Sequence, residues 1–369
     1  MEATQAYHPL PDTSERPEAL PPYRRVLRTA RRILTGYTAR TILQGVITIW
    51  AVMTFTFVLV RKMPSNPVEV HVQKLMILES LTYEEAYNRA ALLFDFDPDA
   101  PLMTQYLDYL GKLLRFDLGQ SITSAGTPVI DQILRYLPWT LFSVGTGLFI
   151  SFVVGILVGM AMAYWRGSAF DNSMTAVASI LFGIPNYITA LLIILILGVQ
   201  LKLFSVGDML GGIDQGLTPG FNAAFIGSLI KHAILPVVTY VSATVGGWML
   251  SMKSSTISTL GEEYVTAAHA RGLGSWRVLT SYVGRNAMLP LVTQLAISIG
   301  FVVGGSVIIE TIFLYPGLGR FLITAIGNRD YTSMQGVFLV IAITVVVANT
   351  LADMLYGVLD PRVRISGER

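Results

Sequence analysis

The stretch SSTISTLGEEYVTAAHARGLGSWRVLTSYVGRNAMLP, Ser254 to Pro290, interrupts a series of apolar segments with Glu262, Glu263, His269, Arg271, Arg277 and Arg285. So many ionisable groups exclude it from the hydrocarbon of a bilayer. Two helix-period patterns flank a break at Gly272-Leu273-Gly274, and Ser275 is placed to cap the second. In that second half Trp276, Leu279, Tyr282 and Val283 recur three or four residues apart, which predicts one apolar stripe opposite Arg277 and Ser281. The expected element is a helix-turn-helix loop with a protruding tip, anchored by that stripe.

Outward from the loop, the chain is far more apolar than a soluble domain. Of its 369 residues 53% are hydrophobic and 14% charged, against about 25% charged in ordinary globular proteins. This composition is that of an integral membrane protein. A net charge of +2, with basic residues dispersed apart from an N-terminal cluster, gives no footprint for a nucleic-acid partner. The absence of cysteine removes disulfides, thiolate metal sites and a cysteine nucleophile together.

Residues 1–41 are polar and proline-bearing, and read as a tail closing on Arg24, Arg25, Arg28, Arg31, Arg32 and Arg40. Ile42 to Val60 carries no charge and no small-residue cleavage site follows it, so it reads as a retained first transmembrane helix, 42–60. Residues 61–138 form a polar segment in which Thr82 and Glu85 fit a capping box and Pro101 suits the first turn of a helix. That helix keeps Leu102, Tyr106, Tyr109, Leu110, Leu113 and Leu114 on one face, the pattern of a helical cap packed on the membrane domain; such a cap could also offer a docking surface.

Five further uncharged or nearly uncharged runs lie within 139–360: Leu141 to Ala163, Met174 to Val199, Ala233 to Met252, Ala287 to Ile309 and Val337 to Leu359. Six spans in an all-α integral membrane protein is the natural count. Gly183, Pro185, Pro236 and Pro290 fall inside these runs and are read as kinks in preference to breaks. Gly155 with Gly159, and Gly300 with Gly304, are small-residue pairs suited to close helix packing. In the short connections, two basic residues in 201–231 and two in 310–336 face four in 253–286. By the positive-inside rule both termini, including the tail 361–369, and the loop 254–290 are expected in the cytoplasm, with 61–138 outside.

A carrier coupled to protons or sodium usually needs ionisable groups within the membrane, and Asp353, near one end of the last span, is the only acid well inside a proposed one. His8, His71, His232 and His269 are scattered without metal-ligand spacing, and no serine sits in a GxSxG turn. No catalytic, cofactor-binding or metal residue is expected in this chain. The chain reads as a conduit with no visible motor and a structured loop where a motor could attach.

At that loop Glu263-Tyr264-Val265, Ala267-Ala268, Ala270-Arg271, Gly272-Leu273-Gly274 and Arg285-Asn286-Ala287-x-x-Pro290 resemble the EAA signature of permease subunits in ATP-binding cassette importers. Further segments narrow the resemblance to the B-type permease of the dipeptide, oligopeptide and nickel family. These are Asp117-Leu118-Gly119-x-Ser121, Pro128-Val129, Leu137-Pro138-x-Thr140-Leu141, Leu235 to Thr239, Glu310-Thr311-x-Phe313-x-x-Pro316-Gly317-Leu318-Gly319, Arg329-Asp330-Tyr331, and Asp353-x-x-Tyr356 through Asp360-Pro361-Arg362. Lys253 stands where the family often has arginine, and Tyr282 where histidine is usual.

The resemblance implies type I importer architecture in a prokaryotic cell membrane, surrounded by lipid. It implies a second homologous permease, two ATPase subunits that carry ATP and Mg, and an extracytoplasmic solute-binding protein. Glu262, Glu263, Ala267, Ala268, Arg271, Gly272, Leu273 and Gly274 would then form the ATPase-coupling tip, with Trp276, Leu279, Tyr282, Val283, Arg285 and Asn286 anchoring it. Peptides are the first expected cargo, oligosaccharides the second and nickel the third. An ion-coupled carrier without an ATPase is the alternative from another class.

Overall fold

The computed structural model describes residues 37–62, 67–93, 100–124 and 126–359. The tail arginines through Arg32, the segment Asp360-Pro361-Arg362 and the tail 361–369 lie outside them, as does the side chain of Asp353. Contacts divide the chain after Gln44. The first unit is described only as the opening turns of α1, and the second runs from Gly45 onward.

Regular structure among the described residues is helical throughout. Helix α1 spans Tyr37–Lys62, and α2 (Pro67–Glu79), α3 (Tyr83–Leu93) and α4 (Leu102–Leu113) follow it. The Thr82 amide donates to Glu85 Oε2 at 3.0 Å and the Glu85 amide to Thr82 Oγ1 at 3.4 Å, the reciprocal bonds of a capping box at the start of α3. Helix α4 starts one residue after Pro101 and lays Tyr106 and Tyr109 on Phe57, with ring centroids 5.3 and 5.4 Å apart. Tyr106 Oη also lies 2.7 Å from Thr54 Oγ1, so α4 packs on the C-terminal half of α1. Leu102 and Leu114 of its expected apolar face are exposed.

Helix α5 (Val129–Tyr164) and the later α9 (Ala223–Leu260) are the long central pair. Gly155 of α5 leaves no room for a β-carbon beside Trp248, and one at Gly159 would come within 2.8 Å of Met252 Cβ, so the two backbones run in close contact. Between them lie α6 (Ala169–Gly183), α7 (Asn186–Ile193), a π-helical continuation Ile194–Gln200 and the short α8 (Val206–Met209). After the loop come α13 (Leu289–Val302), α14 (Val307–Ile312), α15 (Leu318–Gly327) and α16 (Tyr331–Leu359). Gly300 on α13 sits against Val345 and Ala348 of α16.

Among the described residues four helices are long and apolar enough to cross a membrane, or up to six if each of two bent pairs counts as one span. The prolines divide unequally. Pro236 lies inside continuous α9, whereas the chain turns 103° between α6 and α7 at Gly183–Asn186, and 46° before α13 at Met288. The expectation of simple kinks is therefore corrected at Pro185. That proline has no amide hydrogen to give, and it drives Ile184 to an extended ψ of 125°. The fifth apolar run is corrected too: its helix stops at Val302, and Gly305, at φ +68°, turns the chain into α14.

Candidate functional site

Helix α9 carries the Ser254–Pro290 loop, and its last turns are held from two sides. Lys253 Nζ lies 2.5 Å from Asp171 Oδ1 and donates to Thr175 Oγ1 at 2.9 Å, joining α9 to α6. Lysine thus fills the place of the usual arginine with an ion pair. Gly159 of α5 approaches the Lys253 amide from the other side.

Past Gly261 the chain re-enters a helix at once, α10 (Glu263–Ala270), with Glu262 as its extended N-cap. Its end is a Schellman turn. The Gly272 amide donates to His269 O at 2.9 Å and the Leu273 amide to Ala268 O at 3.3 Å, with Gly272 at φ +77°. Leu273 folds back onto a small core of Val265, Ala268, Val278 and Val283, flanked by Leu260 and Tyr264. Gly274 has φ −62° and ψ 142°, which any residue adopts, so Gly272 alone supplies the left-handed turn.

The return limb comprises α11 (Ser275–Arg277), a π-helical stretch Val278–Gly284 and α12 (Arg285–Ala287). This geometry corrects the predicted stripe. Leu279 and Val283 are buried, but Tyr282 is 38% exposed and Trp276 70% exposed. In a π turn the i→i+5 bonds widen the period, so Val278 joins Val283 on the inner face and Trp276 is left outside. Asn286 Nδ2 donates to Tyr264 Oη and to Tyr282 O, both at 2.9 Å, and Ser255 Oγ donates to Ala287 O at 2.7 Å. The Asn286–Tyr264 and Ser255–Ala287 bonds stitch the two limbs together, while Arg285 is exposed.

The expected tip residues divide as well. Ala268 is buried and Leu273 half-buried, so they support the tip instead of surfacing on it. Glu262, Glu263, Ala267, Arg271, Gly272 and Gly274 are exposed, together with Trp276 and Arg277. The result is a charged tip on a small buried apolar core at the end of α9.

At the opposite end of α9 a second constellation fills the molecule. Glu310 is buried; its carboxylate accepts from Thr140 Oγ1 at 2.8 Å and from the Arg320 amide at 3.0 Å, while the Leu318 amide donates to Thr140 Oγ1 at 2.7 Å. Gly305, Gly317 and Gly319 wall it so closely that a β-carbon at any of them would overlap the carboxylate. Burial pushes the Glu310 carboxyl up, against the opposing amides of Arg320 and Gly319 and the Thr140 hydroxyl. Nearby, Asp330 accepts from Ser121 Oγ at 2.5 Å, Thr123 Oγ1 at 2.6 Å and the Ser333 amide at 3.1 Å. Burial alone would raise Asp330, yet the Ser121 and Thr123 hydroxyls and the Ser333 and Ile122 amides outweigh it and hold the group below the usual carboxylate range. The Glu310 and Pro-Gly-Leu-Gly segments, and the Asp117 and Asp330 segments, are thus partners in space. Sequence reading assigned them no role, although glycines at fixed offsets from an acid were a visible signal.

An all-helical bundle with several apolar spans, close-packed glycine seams and a braced charged loop defines a multi-pass membrane transport component. Residues 155–365 match the family described as binding-protein-dependent transport system inner membrane component, and the chain belongs to that family. It is 32% identical over 330 residues to a putative peptide permease protein of Brucella suis biovar 1 (strain 1330), covering 89% of this chain and 99% of the relative. It is also 32% identical over 323 residues to the dipeptide transport system permease protein DppB of Escherichia coli (strain K12), covering 84% and 93%. A 30% identity over 330 residues, 89% and 99% of the two chains, relates it to the oligopeptide transport system permease protein AppB of Bacillus subtilis (strain 168). The chain is an inner-membrane permease of type I importer architecture.

Proposed function

We propose that this permease conducts peptides inward as the non-catalytic membrane subunit of an ATP-driven importer. The relatives are named for dipeptide and oligopeptide transport, which supports peptides over oligosaccharides or nickel. The solute arrives from an extracytoplasmic binding protein and passes between this chain and a second, homologous permease. ATP and Mg act on two separate ATPase subunits. Both termini and the Ser254–Pro290 loop face the cytoplasm.

One observation carries the coupling role: the charged tip stands on its own buried core and is fixed to α5 and α6 by Gly159 and Lys253. A force applied at Glu263 or Arg271 then moves the spans instead of bending the loop. Reconstitution in proteoliposomes with the ATPases and binding protein tests this. Wild type should take up peptide only with ATP, and Glu263→Ala should lower uptake severalfold while hydrolysis continues and the protein stays folded. Uptake without ATP, or a Glu263→Ala variant that transports like wild type, would sink the reading.

A further inference from the structure

The break between α6 and α7 lies at the middle depth of the spans. Gly246 of α9 packs on the Ala178 carbonyl and Gly247 on the Phe182 ring, while Ala190 of α7 shares a core with Ala233 and Leu235. Residues 183–186 therefore sit beside the centre of the uncharged run 233–252. The backbone there is incompletely bonded. The Ile184 amide reaches Ile180 O, but Pro185 has no hydrogen for Leu181 O. Extended Ile184 withdraws the amides of Asn186 and Tyr187 from the carbonyls of Phe182 and Gly183, and the next helix begins with Ile188 and Thr189 donating to Pro185 O. Phe182, Gly183, Pro185, Asn186 and Tyr187 are all exposed on the chain's surface.

Lipid cannot cover such a site. In hydrocarbon an unbonded peptide group has no water to pair with, so irregular backbone at this depth occurs only inside protein or along a water-filled cavity. Here it is exposed and carries the amide side chain of Asn186 and the hydroxyl of Tyr187. These groups are donors and acceptors of the kind that a peptide main chain pairs with, irrespective of its side chains.

We propose that the Leu181–Tyr187 break is part of the wall of the translocation path, where Asn186, Tyr187 and the freed backbone groups contact the main chain of the passing peptide. This rests on the peptide-importer reading above. It gives the 103° turn at Pro185 a use that a simple kink lacks. It also predicts side-chain-tolerant contacts, because main-chain groups are common to all peptides.

This chain has no native cysteine, so label carried by it reports the introduced residue. Asn186→Cys and Tyr187→Cys, both at exposed positions, are placed in the complete transporter and treated with a small charged methanethiosulfonate; Ser143→Cys, at a buried position in α5, is the control. Peptide uptake is measured on the same samples. The expected result is labelling at least tenfold faster at 186 and 187 than at 143 in a resting or ATP-trapped state, slowed severalfold by a transported peptide. Labelling no faster than the control in both states overturns the proposal, since the break is then covered by protein. Fast labelling that a demonstrably transported peptide leaves unchanged overturns the contact. Fast labelling in a transporter that takes up no peptide instead removes the peptide reading and leaves the water-lined wall standing.

Discussion

At the Ser254–Pro290 loop, Glu262, Glu263, Arg271 and Arg277 are exposed over a core of valine, alanine and leucine. At the other end of α9, Glu310 and Asp330 are buried and bonded while apolar residues pack around them. Glycine differs in the same way. Gly272 supplies a left-handed φ beside open space, whereas Gly317 and Gly319 supply volume for a carboxylate. One end exposes its charges and the other encloses them. The same kinds of residue should therefore fail differently at the two ends, by losing a turn or contact at the loop and by losing internal bonding at the Glu310 end.

The largest effect should come from Glu310→Ala. It leaves the Thr140 hydroxyl and the Arg320 amide buried without their acceptor and opens a cavity. Removing one member of a buried charged network costs roughly 3 kcal/mol or more. Thermal unfolding in detergent should show a markedly lower midpoint or loss of folded protein. Glu310→Gln keeps an acceptor and the volume, so it should recover most of the loss. Equal damage from both variants would mean that the charge itself, and not the bonded shape, holds this end together.

Legibility in the sequence follows the range of each interaction. Each uncharged run overlaps a candidate span because length and hydropathy are local properties, although the fifth outlasts its helix, and the capping box of Thr82 and Glu85 closes over three residues. Proline is local too, but its consequence is not: Pro236 is absorbed in α9 while Pro185 turns the chain by 103°. The loop's two limbs were readable from their periods until the π turn at Val278 changed the period and turned Trp276 outward. Glu310 and Thr140 are 170 residues apart, so no spacing rule could join them. Asp171, the partner of Lys253, was hidden for the same reason.

At the loop a smaller effect separates conformation from contact. Gly272→Ala forces a side chain into φ +77°, which costs about 1–2 kcal/mol although a β-carbon there meets nothing. Gly274→Ala sits at φ −62° in open space and should leave stability within about 0.5 kcal/mol. Hydrogen exchange at α10 should rise in the first variant and stay level in the second. If ATP-dependent uptake nevertheless falls in Gly274→Ala, that glycine acts through close approach of a partner.

The smallest effect on stability, and the sharpest test of the contrast, belongs to Trp276. A tryptophan 70% exposed on a polar tip contributes little to the fold, so Trp276→Ala should shift stability by no more than about 0.5 kcal/mol. Leu279, three residues on and buried, should cost roughly 2–5 kcal/mol when cut to alanine. Tryptophan is enriched among residues that dominate protein interfaces, where truncation costs about 2 kcal/mol or more. If the tip is the ATPase contact, Trp276→Ala should retain its unfolding midpoint yet lose ATPase subunits during purification at least tenfold more readily than wild type. Leu279→Ala should show the reverse weighting, with the midpoint falling first. A Trp276→Ala variant that unfolds like Leu279→Ala would put the indole back in the core and restore the α-helical stripe in place of the π turn.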